Sequence, residues 1–107
     1  MNPEMMKALE QVQRMQEEMA KAQEKLKDVT ATVEVGGGMV KATANGLQEI
    51  TSLKLEKEVI DPNEQEMLED LIVSAVNRAI AKAKEQGDAQ VNAVANAMMP
   101  KIPGLNF

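Results

Sequence analysis

Apolar residues recur every seven positions at the start of this chain, where Met5, Val12, Met19 and Leu26 form one column. Leu9 and a second column of Ala8, Met15 and Ala22 widen it into a stripe, and no Gly or Pro interrupts it. The pattern predicts a long amphipathic helix over 4–27. Asn2 is placed to cap it, and Pro3 falls in the first turn, where proline is tolerated. Gln16 and Gln23 occupy the positions that pair with Leu9, so the coiled-coil seam is narrow and imperfect.

The period then changes to two. Val29, Ala31, Val33 and Val35 alternate with Thr30, Thr32 and Glu34, the mark of a half-buried strand. Gly36-Gly37-Gly38 reads as a turn that needs positive φ. Val40 and Thr43 favour a second strand over 39–44. Asn45-Gly46 suits a type I′ hairpin, and a third strand over 48–57 turns Leu53 and Leu55 inward. Tight links between consecutive strands predict an antiparallel meander over 28–57.

Asp61, Pro62 and Glu64 together signal a helix start resembling a capping box. A helix over 62–86 follows, with Leu68, Leu71, Ile72 and Val76 in a stripe wide enough to pack on a sheet. Gly87 is expected to end it. A short helix over 89–98 and a Pro-containing tail over 99–107 complete the chain. The reading is a single α+β domain over 1–107: long helix, three-stranded meander, long helix, short helix.

Composition adds a reason for self-association. The 107 residues include nine Met, no Trp, no Tyr and a single Phe, Phe107. Such a core lacks large rigid anchors, and sharing it between two copies compensates. A first helix of about 23 residues spans roughly 35 Å, more than so small a sheet can cover. Met5, Val12, Met19, Leu26, Val33, Val40, Leu68, Leu71, Ile72 and Val76 are therefore the expected core and dimer residues.

Missing residue types exclude most chemistry. The chain has no Cys and no His, so disulfides, thiolate metal sites and the commonest general base are absent. Ser52, Ser74 and the threonines have only Lys as an activating base. The Gly36–Gly38 run joins strands and lacks the GxxxxGK[ST] spacing of a phosphate loop. The stretch from Asp61 to Glu64 lacks the oxygen ladder of a calcium loop, and capping accounts for it. No catalytic residue, metal, cofactor or small-molecule substrate is expected. The charged, periodic N-terminus has no signal-peptide core, and no apolar run approaches the ~20 residues that span a bilayer. The expected location is the cytoplasm, with no membrane partner.

The formal charge is −5, from 17 acidic and 12 basic residues, which argues against a polyanionic partner. The charge is nevertheless segregated. Seven acids crowd the segment from Glu56 to Asp70, while Lys7, Arg14 and Lys21 repeat every seven residues opposite the first helix's apolar column. With Lys25 they could follow a phosphate backbone. The bland reading is a solvated face, because Glu10 and Glu17 stand four residues before Arg14 and Lys21, the favourable order for ion pairs. Arg78, Lys82 and Lys84 form a second basic cluster, which could equally complement a helix dipole.

Three segments together resemble one family. They are Gly36-Gly37-Gly38-Met39-Val40-Lys41-Ala42-Thr43-Ala44-Asn45-Gly46, the stretch from Glu66 to Asn77, and Pro103-Gly104-Leu105. In order and spacing they resemble the YbaB/EbfC family of bacterial nucleoid-associated proteins across essentially the whole chain. Met39 stands where that family usually has Leu. The resemblance implies an intertwined homodimer shaped like tweezers, with the meanders as a shared body and long helices projecting. It also implies duplex DNA binding with little sequence specificity, in nucleoid organisation and gene regulation. The competing expectation is an acidic dimeric chaperone or adaptor that binds polypeptide segments.

Overall fold

The computed structural model describes residues 2–98. The expected tail over 99–107, with Phe107, lies outside them. Helix α1 (Pro3–Lys25) leads through a single 3-10 turn, Leu26–Asp28, into strands β1 (Thr30–Val35), β2 (Val40–Asn45) and β3 (Ile50–Leu55). Two further 3-10 turns, Lys57–Val59 and Pro62–Glu64, precede helix α2 (Gln65–Met98). The strands form an antiparallel sheet in the order β1-β2-β3.

Local chemistry sets the α1 start as expected. The Asn2 side chain accepts a hydrogen bond from the Met5 N–H at 2.8 Å, and Pro3 opens the helix. At the other long helix the Asp61 carboxylate accepts from the Asn63 N–H at 3.0 Å. The reciprocal half of a capping box is missing, because the Asp61 N–H donates to the Val59 carbonyl.

Two turns differ in kind. Gly36, Gly37 and Gly38 all adopt positive φ, between 63° and 90°, which an L side chain would resist. The Asn45-Gly46 turn is not type I′. Asn45 C=O accepts from the Gln48 N–H at 3.0 Å, and the left-handed residue is Gln48, at φ 62°. This is the three-residue hairpin built from a turn followed by one αL residue. Asn45 holds it: its side-chain oxygen accepts from the N–H groups of Leu47 and Glu49. Gly46 is required for space, since a Cβ there would lie 2.6 Å from the Leu26 carbonyl oxygen.

The core lies between one sheet face and α2. Val40, Ala42 and Ala44 of β2 are fully buried, and so are Ala75, Ala79 and Ala83 of α2. Alanine every fourth residue lets the helix sit close on the sheet. Leu68, Leu71, Ile72, Val76 and Val33 pack around this centre, half-buried. The helix covers β1 and β2 but barely touches β3. Leu53, expected inward, is therefore 42% exposed although its register partner Ala42 is fully buried.

The expected short helix over 89–98 is not separate among the described residues: α2 runs through Gly87 to Met98 without a break. Gly87 is buried where α2 crosses the hairpin, with Leu26 Cδ2 and Gly46 Cα next to it. From that crossing α1 and α2 run antiparallel, Ala22 and Lys25 lying beside Gln90, Ala93 and Val94. The 34 residues of α2 span about 51 Å, and the first half of α1 continues past its end. The result is a rod-like molecule of 74 × 26 × 16 Å.

Candidate nucleic-acid interface

The structure distributes the basic residues over three surfaces. Every residue from Asn2 to Arg14 is exposed, so Lys7 and Arg14 stand on a projecting arm. The anticipated i,i+4 ion pairs on this arm do not form. Lys21 instead pairs with Glu18 at 3.5 Å, and no carboxylate lies within 4.0 Å of Lys7 or Arg14 among the described residues. Lys25 sits at the α1–α2 seam, in an open cleft of about 270 Å³ with Glu18 and Lys21.

The second cluster divides. Arg78 and Lys82 each precede a buried alanine, Ala79 and Ala83, whereas Lys84 follows one. At 100° per residue this puts Lys84 on the opposite flank of α2 from the other two. Lys84 also has its own partner, Asp88 at 2.7 Å. The hydrogen bond to Asp88, with its negative charge, raises the Lys84 pKa above the ordinary lysine value. Lys84 is thus committed locally, while Arg78 and Lys82 are exposed and have no ion-pair partner among the described residues.

The third surface is one that the sequence reading passed over. The sheet face away from α2 carries Thr32, Thr43 and Ser52 in one cross-strand row and Glu34, Lys41 and Lys54 in the next. Thr32 and Thr43 share a hydroxyl hydrogen bond of 2.8 Å, and Lys41 pairs with Glu34 at 3.1 Å. Lys54 is exposed and stands directly opposite Lys41. Its signal is the polar half of the strand alternation, which is usually taken only as a solvated face.

No cluster of three or more acidic side chains is placed to hold a metal among the described residues. An open cleft of about 470 Å³ lies beside the Gly46 hairpin and is lined by Gln23, Gln48, Asn92 and Asp88 together with Leu26, Leu47 and Val91. It brings carboxamides, one carboxylate and apolar side chains together, with no nucleophile–base pair among them. Among the described residues no helix is long and apolar enough to cross a membrane.

A family model described as the YbaB/EbfC DNA-binding family matches residues 1–98. The chain belongs to the YbaB/EbfC family. A nucleoid-associated protein of Pelotomaculum thermopropionicum is 41% identical over 105 residues, covering 98% of each chain. One from Ruminiclostridium cellulolyticum is 45% identical over 96 residues, covering 90% of this chain and 76% of its own. Among solved structures, the uncharacterized protein HP0035 from Helicobacter pylori matches with a TM-score of 0.60 at 27% identity. That match covers 82% of this chain and 98% of the other. The YbaB/EbfC assignment rests on these sequence matches, and the matched residues take in every described element.

Proposed function

We propose that this chain is a nucleoid-associated protein that binds duplex DNA as a homodimer with little sequence specificity, and so takes part in nucleoid organisation and gene regulation. The observation that carries the DNA reading is the family match over residues 1–98. It favours this reading over the polypeptide-binding adaptor. It also outweighs the net charge of −5, because affinity for duplex DNA is set by local phosphate contacts. Lys7, Arg14, Arg78 and Lys82 are the residues proposed to make them, joined by Lys25 at the α1–α2 seam, with Lys21 and Lys84 as weaker contributors because Glu18 and Asp88 hold them. Lys41 and Lys54 of the open sheet face extend the set. With no aromatic residue before Phe107, recognition by base stacking is not part of the reading.

The dimer reading has its own support. On β3, Ile50 and Leu53 are exposed and Leu55 is only half-buried, on the α2 side of the sheet but beyond the strands that α2 covers. The outer edge of β3 also presents unpaired backbone groups. An apolar open edge is an association surface unless something covers it. Two copies paired edge to edge along β3 make one six-stranded sheet with a two-fold axis between the β3 strands. Each protomer's α1 arm then projects from a shared body.

Two measurements test this. Sedimentation of the full chain is expected to give no free protomer at micromolar concentration, and Leu53→Glu is expected to disrupt the β3 pairing. A titration of labelled duplex at low salt is expected to show binding by the wild type. Absence of duplex binding at low salt, with polypeptide co-purifying instead, favours the adaptor.

A further inference from the structure

The free half of α1 exposes more apolar surface than a solvated helix needs. Met5, Met6, Leu9 and Val12 are each between 49% and 57% exposed. They continue the heptad column whose second half, Met19, Ala22 and Leu26, is packed or partly packed where α1 meets α2. The column is thus a single stripe, covered where α2 runs beside it and bare beyond. An isolated helical segment of about a dozen residues is marginal in water even with good caps. The bare half therefore calls for a partner.

We propose that the partner is the same half of α1 from another dimer, packed antiparallel along Met5, Leu9 and Val12. The border of the stripe selects this occupant. Gln11, Gln13 and Gln16 flank it without charge, and Glu4 is the one ionised neighbour. Lys7, Glu10, Arg14 and Glu17 lie around the opposite side at 100° per residue. A phosphate backbone has no cation to meet on this strip, so the arm uses one face for DNA and the other for itself. A second α1 brings an equally apolar strip with an equally neutral border, and identical helices crossing antiparallel satisfy two-fold symmetry. Methionine side chains adapt to such a contact.

The consequence rests on the dimer proposed above. That dimer uses β3, and each of its two arms ends in a second self-complementary surface. A particle with two independent two-fold surfaces goes beyond the dimer, either to a closed dihedral tetramer or to an open chain. Either assembly of DNA-bound dimers would join separate stretches of duplex.

Sedimentation velocity without DNA, over a range of concentrations, tests the assembly on the full chain and on two variants. The wild type is expected to reach species larger than a dimer as concentration rises. Leu9→Glu/Val12→Glu changes only exposed side chains, so its far-UV circular dichroism should match the wild type. It is expected to stop at the dimer, with the dimer–dimer association at least about tenfold weaker. Leu53→Glu is expected to leave a concentration-dependent pair joined by the arms alone. A wild type that never exceeds the dimer overturns the proposal, as it would if residues 99–107 covered the stripe. So does a Leu9→Glu/Val12→Glu variant that falls to the monomer, because the stripe would then be the primary dimer interface. If Leu53→Glu leaves the assembly unchanged, the β3 dimer fails and the assembly of dimers falls with it. None of these outcomes depends on whether DNA binds. A bead-capture assay then reads function: immobilised duplex with bound wild type should retain a second labelled duplex, and the Leu9→Glu/Val12→Glu variant should lose that retention while still binding the first.

Discussion

Replacing Gly46 by alanine places a methyl group 2.6 Å from the Leu26 carbonyl oxygen and 3.2 Å from Leu26 C and Cα. All three are backbone atoms, so no side-chain rotation relieves the clash. Reaching ordinary contact at 3.4 Å needs a shift of about 0.8 Å between the hairpin and the α1–β1 junction. The Gly46 N–H donates to the carbonyls of both Leu26 and Val29, at 2.8 and 2.9 Å, and the same shift pulls these bonds apart. Overpacking costs about 1–3 kcal/mol, and weakening the shared hydrogen bonds adds about 1 kcal/mol. A total of about 2–4 kcal/mol lowers Tm by very roughly 10–25 °C in a domain of about 100 residues. Gly87→Ala is the control at the same crossing. Its Cβ meets Leu26 Cδ2 at 3.0 Å, the mobile end of a side chain, and Gly46 Cα at 3.5 Å. A helix-interior alanine gains about 1 kcal/mol over glycine, which offsets a shift of a few tenths of an ångström. Its stability should stay within about 1 kcal/mol of wild type. Thermal melts at one fixed protomer concentration compare the three proteins, since association makes Tm concentration-dependent. If Gly46→Ala melts within about 3 °C of wild type, a cost well under 1 kcal/mol, the close approach at this crossing is not what requires glycine.

Further expectations follow from the core, the hairpin and the composition. Ala79→Leu adds volume where α2 sits directly on the sheet, at a fully buried position; it should cost about 1–3 kcal/mol or more, read as a lower urea midpoint with unchanged slope. Asn45→Ala removes the acceptor for the Leu47 and Glu49 N–H groups and the donor to Glu49, and should cost about 1–3 kcal/mol in the same assay. His and Cys, the side chains that ordinarily titrate near neutrality, are absent, so duplex affinity at fixed salt should vary less than about twofold between roughly pH 5.5 and pH 7, above the carboxylates and below the range of an α-amino group.

Periodicity made most of the architecture legible. The change from a period of seven to a period of two separates α1 from β1, and the Asn2 and Pro3 signals locate the helix start. Glycine was where local reasoning failed. Asn45-Gly46 carries a strong two-residue hairpin signature, but Gly46 serves a contact with Leu26, twenty residues away. Gly87 has the look of a helix end, yet it allows α2 to pass over that same hairpin. Both positions answer to tertiary approach, which neighbouring residues do not report. Exposure of Leu53 was likewise hidden, because alternation identifies the inward face of β3 but not whether a helix reaches it. For the candidate site, the sequence supplied the residues and not their pairing. Lys84 is held by Asp88, whereas Arg14 lacks the partner that its spacing from Glu10 suggested.

Binding of duplex DNA through phosphate contacts from the exposed cations of α1 is tested most directly by a salt titration. One duplex is titrated with wild type and with Lys7→Glu/Arg14→Glu/Lys21→Glu at several salt concentrations. Wild-type affinity is expected to fall steeply and linearly on logarithmic axes. The reversal should weaken binding at every salt concentration and flatten the slope by about one unit for each phosphate no longer neutralised. A wild-type complex insensitive to salt contradicts the electrostatic mechanism, and a variant with unchanged affinity and slope removes the α1 arm from the DNA interface.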